Sequence, residues 1–199
     1  MNEPTDRELL ELAAKAAGMV KYSPLSGDMY WKEKPPTERD ATRWNARYAG
    51  RLCGTIDDKG YRRILFRFDG TVFRIRAHRL AWFIVHGKFP DDEIDHINQN
   101  KLDKTIANLR DVQRIVNQRN GTRKGNNTSG VPGVTWHKQN KKWCAQANVL
   151  GIHYHIGSYA EISDAERAVK AFRSNHGFTE NHGGRAITRC AAEIGRALP

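Results

Sequence analysis

Residues 93–110 read EIDHINQNKLDKTIANLR. An Asp beside a His, followed by Asn and Gln, is a set of side chains suited to hydrolysing a phosphodiester. That reaction needs a base to deprotonate water, a cation to stabilise charge on phosphorus and the leaving oxygen, and rigid positioning of both. One His and two oxygen ligands suffice. Asp95 and His96 are adjacent, so on an extended strand their side chains point to opposite faces. Asp95 then reaches a cation on one side while His96 faces solvent or substrate. The INQNKLDK loop is rich in residues that tolerate left-handed backbone, and Asn98, Asn100 and Asp103 read as loop architecture. A second strand is expected over 107–112, with a helix from Gln113 returning Asn117 beside Asp95.

Elements that could position these groups flank them on both sides. Leu9, Leu10, Leu12, Ala13 and Ala16 repeat at helical spacing, with Thr5 as cap and Gly18 as stop. Between 20 and 76 the text turns β-branched and aromatic. YRRILFRF and TVFRIR, joined by Asp69-Gly70, predict a hairpin. KEKPPTERDAT reads as a loop. AHRLAWFIVH returns to helical spacing and stops at Gly87, a suitable C-cap. VQRIVNQRN is a short basic helix, and QRNGTRKGNNTSG has the composition of a linker. Beyond it, GVTWHK, KWCAQANV and IHYHIGSY alternate as strands, and SDAERAVKAFRSNHG is helical. Ser163 and Glu166 fit the S-x-x-E capping box, and Ala165, Ala168, Val169 and Phe172 form an apolar stripe. A short helix is expected over 191–197.

The 199 residues allow one domain or two small ones. A net charge of +11 favours a polyanionic partner, nucleic acid first. From Arg110 to Lys142 there are eight Lys or Arg and one acid, Asp111, which suits tracking of phosphates. The chain contains no apolar run of about 18 residues, which excludes a membrane-spanning helix. The acidic start of the chain does not read as a secretion signal, so an intracellular protein is expected. Cys53, Cys144 and Cys190 form no CxxC pair and are expected as free thiols.

The pattern DH-I-N-x-N-K-x-D, then NLR, then an Asn on the next helix resembles the HNH endonuclease family, in the branch found in phages and among group I intron homing enzymes. The resemblance spans about 22–120 and is close from Gly60 onward. It implies a ββα-metal fold, a hairpin and a helix gripping one divalent cation. It gives His96 the place of the general base, Asn108 that of the middle Asn that holds the loop and orients the base, and Asp95 and Asn117 those of metal ligands. The last position is Asn rather than His, an H-N-N variant, which favours Mg²⁺ or Mn²⁺ because Asp and Asn offer oxygen ligands. His78 and Arg79, in the segment leading into the motif, are candidate phosphate contacts. The products implied carry 5′-phosphate and 3′-hydroxyl ends, and a phage-encoded protein in a bacterial host is expected.

GVTWHKQNKKWCAQANV, IGSY and SDAERAVKAF resemble the DNA-binding domain of plant ethylene-response factors, which also occurs fused to HNH nucleases. The resemblance implies a three-stranded antiparallel sheet in the major groove with a helix on its back. Alternation puts Val134, Trp136, Trp143, Ala145, Ala147, Tyr154 and Ile156 toward that helix. It leaves Thr135, His137, Gln146, Asn148, His153 and His155 toward DNA, where Gln and Asn suit adenine. Lys138 and Lys142, together with Arg114, Arg119, Arg123 and Lys124 of the basic stretch, are phosphate candidates. The plant family carries several Arg on that face, where this chain has mostly His, Gln and Asn.

The expectation is thus an α+β protein: an N-terminal helix (1–18), an HNH domain (19–120), a basic linker (121–128), a sheet domain (129–177) and a tail (178–199). Its partner would be double-stranded DNA, without membrane association, and it would be a monomer or weak dimer. A DNA-binding regulator with a decayed HNH part and an RNA-directed protein are the competing readings.

Overall fold

The structure, a computed structural model, describes residues 5–123 and 126–184. Contact density divides the chain into two compact units, Met1–Val112 and Gln113–Pro199. The mixed α/β composition follows the expected class, with an antiparallel sheet in each unit.

In the first unit, helix α1 (Asp6–Gly18) begins at the expected Thr5. The Thr5 hydroxyl accepts the Glu8 backbone N–H while the Glu8 carboxylate accepts that of Thr5, so two N-terminal donors are satisfied. Strands β1 (Val20–Tyr22) and β2 (Met29–Trp31) pair antiparallel. The KEKPPTERDAT loop runs into a helix that its composition did not suggest, α2 (Ala41–Tyr48). No side chain caps it, and what holds it is distant in sequence: Trp44 and Tyr48 lie 5.3 and 6.3 Å from the Trp31 ring.

Strands β3 (Thr55–Ile56), β4 (Arg62–Phe68) and β5 (Thr71–Arg76) form a sheet in that order. Asp69 and Gly70 both take positive φ, the type I′ turn that matches strand twist. Alternation buries Ile64, Phe66, Phe73 and Ile75 against Leu80, Ala81 and Phe83 of α3 (Ala77–His86), which ends at Gly87 in the left-handed conformation. Strand β6 (Glu93–His96) pairs with β7 (Leu109–Val112), and a 3₁₀ turn (Ile106–Asn108) precedes β7.

Gly27 ties the N-terminal hairpin to the loop between β6 and β7. Its φ is +72°, and a Cβ there would lie 2.5 Å from the Thr105 backbone nitrogen. Only glycine permits that approach. Nearby the Ile106 N–H donates to Pro24 O at 3.2 Å, and the Tyr22 hydroxyl to Lys104 O at 2.6 Å.

The second unit contains helix α4 (Arg114–Arg119), strands β8 (Val134–His137), β9 (Lys142–Val149) and β10 (Ile152–Tyr159), and helix α5 (Ile162–Asn175). The sheet runs β10-β9-β8, and α5 covers one face around Val134, Ala145, Ala165 and Val169. The expected capping box at Ser163 and Glu166 is not formed. The helix starts one residue earlier, at Ile162 after Glu161, so Ser163 already lies inside the first turn. Trp136 also departs from expectation: it is 46% exposed, its ring set edge-on 5.0 Å from Trp143, because the buried cluster under α5 takes in Trp143 but does not extend to it. Cys53 is buried, which pushes its thiol pKa up to about 12. The helix expected over 191–197, Cys190 and Lys124 lie outside the described residues. Among the described residues no helix is long and apolar enough to cross a membrane.

Candidate functional site

The loop between β6 and β7 is built from side chains bonding to backbone. Asn108 Oδ1 accepts the Asn98 N–H at 2.9 Å, and its amide nitrogen donates to Asp103 O at 3.0 Å. Asn98 donates to Asp103 Oδ2 and accepts the Asn100 N–H; Asn100 Oδ1 accepts the Leu102 N–H. Asp103 Oδ1 takes both the N–H and the hydroxyl of Thr105. Gln99 turns the chain with φ +62°. Short polar side chains replace the ladder that an irregular segment lacks, and that explains the polarity of the stretch. Asn108 holds the start of the loop through Asn98 and its middle through Asp103.

Asp95 and His96, at the end of β6, are each 5% exposed. His96 does not face solvent as the strand geometry alone suggested. Its ring lies edge-on to His78 of α3, with centroids 4.9 Å apart, and 5.9 Å from Tyr61. Burial lowers the His96 pKa to about 4, although Asp95 and Asp103 pull it upward. The same burial, together with the neighbouring His96, takes His78 down to about 2. Both imidazoles are therefore neutral at pH 7, and a neutral imidazole is the form that accepts a proton.

Asp95 stands directly opposite Arg110 on β7. Arg110 donates Nε and Nη2 to Asp95 Oδ2 at 2.9 and 2.6 Å. A carboxylate has about four acceptor positions, so this ion pair is compatible with a further ligand. Among the described residues no group of three or more His, Cys, Asp or Glu converges on one point. A cation here would rely on Asp and Asn oxygens, water and substrate phosphate. That hard donor set suits Mg²⁺ or Mn²⁺, with Mg²⁺ in particular keeping several waters.

Of the other predicted positions, Arg79 is exposed and its guanidinium lies 5.3 Å from the Phe89 ring centroid. Asn117, Arg114 and Arg119 are on α4, in the second unit. Tyr61 and Arg110 were not among the expected chemical residues, and His78, expected as a phosphate contact, is instead buried against His96. The NLR triplet contained Arg110 and the HRLAW segment His78, but only the β6–β7 register and the packing of α3 make their surroundings visible.

In the second unit the register sets Asn148 opposite His153 and Gln146 opposite His155, so these four share one face. Thr135 lies opposite Cys144 on the same sheet. Thr135, His137, Lys138, Lys142, Asn148, His153 and His155 are exposed and Gln146 is half-buried. Gln146 Oε1 and His153 Nε2 are 3.2 Å apart, and Cys144 Sγ is 3.5 Å from His155 Nδ1. Asn148 is partly committed to structure, since its Oδ1 accepts the Gly151 N–H in the β9–β10 turn. His137 Nδ1 likewise accepts the Asn140 N–H, and Arg123 donates to Gly130 O.

Residues 76–119, from the end of β5 to the end of α4, match the family model described as HNH endonuclease. Protein 3.8 of Escherichia phage T7 is 28% identical over 103 residues, which is 51% of this chain and 85% of that protein. The HNH homing endonuclease I-HmuI, in a structure described as DNA binding and cleavage by that enzyme, aligns at 20% identity with a TM-score of 0.37. The alignment covers 79% of this chain and 81% of the other.

Proposed function

We propose that this protein is a divalent-metal-dependent DNA endonuclease whose HNH-type segment performs the hydrolysis. The reading rests on one observation above the rest: residues 76–119, which match the HNH endonuclease model, contain a buried Asp95–His96 pair behind a loop that Asn108 fastens.

His96 is the general base. Its neutral imidazole takes a proton from the attacking water, and its burial between Tyr61 and His78 limits how far the ring can turn. Asn108 is a positioning residue, keeping the loop beyond His96 in one conformation. Arg110 fixes one carboxylate oxygen of Asp95 and so sets the direction of the other. Asp95, with Asn117 from the sequence motif, would hold Mg²⁺ or Mn²⁺. A bound cation of that kind would stabilise negative charge on the phosphoryl oxygens and the leaving 3′ oxygen.

The sheet of the second unit is the DNA-binding part, of the ethylene-response-factor type, and contributes Thr135, Gln146, His153 and His155 from its exposed face with Lys138 and Lys142 on phosphates. Two modules on one chain raise each other's effective concentration, so modest affinity in each gives useful site preference.

Supercoiled plasmid incubated with the protein and Mg²⁺ or Mn²⁺ tests the proposal. Nicking or linearisation that disappears with EDTA and in His96→Ala is the expected result. No cleavage with either metal would favour a DNA-binding regulator, and full activity of His96→Ala would remove the mechanism. Competition between duplex DNA and RNA decides the polymer.

A further inference from the structure

Within the second unit a cavity of about 500 Å³ lies among α4, the β9–β10 turn and the end of α5; its walls include Gln118, Arg119, Asn148, Arg173, Phe178 and His182. Two guanidinium groups face the same ring there. Arg119 is 5.8 Å and Arg173 5.9 Å from the Phe178 centroid. Among the described residues no carboxylate lines the cavity and neither arginine belongs to an ion pair.

The Arg119 backbone is tied down, and the Arg173 side chain is held at one nitrogen. The Arg119 carbonyl accepts the Thr179 N–H at 3.3 Å and the His182 Nδ1–H at 3.1 Å. Arg173 donates Nη2 to Pro132 O at 2.9 Å, while its Nε is buried with no acceptor. Two arginines that line one cavity with no counter-charge among the described residues favour an anion between them. Guanidinium groups are well matched to phosphate oxygens.

We propose that this cavity takes one phosphate group of a nucleic-acid backbone, with Arg119 and Arg173 as its paired donors. The assignment rests on the DNA-binding role given to the sheet. The wall of the cavity runs through Ala147 to Gly151, the same turn that continues into the exposed Gln146, His153 and His155 face. The exposed, apolar Leu150 of the turn suits the deoxyribose beside the phosphate.

The test uses the full chain and a fluorescent DNA duplex in EDTA, so binding is read whether or not the protein cleaves. Across a salt series, Arg119→Gln is expected to flatten the slope of log K against log[salt] by about 1, the signature of one lost phosphate contact. Arg173→Gln should flatten it by the same amount and the double variant no further, because the two hold one phosphate jointly. An unchanged slope in Arg119→Gln, with unchanged thermal melting, overturns the proposal. Titration with inorganic phosphate covers the other source: saturable binding lost in Arg119→Gln without any change in the DNA slope would make this a free-anion site and overturn the nucleic-acid assignment. Arg173 also supports Pro132, so if Arg173→Gln melts early, Arg119→Gln alone decides. Failure of plasmid cleavage with a normal salt slope would count against the nuclease reading and leave this one standing.

Discussion

The two units treat their candidate functional side chains in opposite ways. In the first, Asp95, His96 and Asn108 are buried at the end of a short hairpin, with Arg110 bonded to Asp95 and Asn108 fastening the loop that follows. In the second, Thr135, His137, His153 and His155 stand exposed on an open sheet face. Burial makes a side chain singular: its pKa moves, its orientation is fixed, and no neighbour can replace it. Exposure makes a side chain one of many, with its share of an interface spread over the whole face. Under the proposed function, hydrolysis would use the first arrangement and adaptable binding the second.

Substitutions should break this contrast in order of size. His96→Ala is expected to lower plasmid cleavage by roughly 10²- to 10⁴-fold, the usual contribution of a general base, while duplex binding in EDTA stays near wild type. Binding that fell in parallel with cleavage would show that His96 acts through contact with DNA. Asn108→Ala removes both anchors of the loop. Leaving buried backbone groups without partners costs about 1–3 kcal/mol, to be read from urea denaturation, with a larger loss of cleavage than of stability.

A third prediction concerns acid. The unfolded-state pKa of His78 is near 6.5 and its folded value is about 2. Between those values the unfolded chain binds a proton that the folded chain refuses, so stability is complete above about pH 6.5 and falls as pH drops through the window below it. Denaturation midpoints measured from pH 7 to pH 4 should decline, and His78→Gln should decline less steeply. Equal slopes in the two proteins would mean that other groups carry the acid sensitivity.

The smallest effects belong to the exposed face. Lys142→Ala should reduce the salt slope of DNA binding by about 1 and weaken all sequences alike, whereas Gln146→Ala should leave the slope unchanged and lower discrimination between sequences. If Gln146→Ala has no effect on any duplex, the sheet face is not the reading surface.

Much of this organisation was legible in the residues. Thr5 announced the first helix, Asp69-Gly70 the hairpin and Gly87 the end of α3, because caps and tight turns are decided within a few residues. The order DH, N, NLR located the chemical segment, and Asn98, Asn100 and Asp103 were recognisable as loop builders since their partners lie two to five residues away. Helix α2 was not legible, because Trp44 and Tyr48 acquire their partner from Trp31 across the Pro-rich loop. The uncovered Trp136 was not legible either, since alternation states which face a residue occupies but not how far a helix extends over it.

By itself the sequence determined which side chains were available for chemistry and the local turns that present them, both being matters of short range. Tertiary structure alone decided that His96 is buried against His78 and Tyr61, that Arg110 grips Asp95, and that Gly27 lets the N-terminal hairpin brace the loop. Those contacts join positions from 15 to about 80 residues apart, and their free energy exists only once the backbone between them has been ordered.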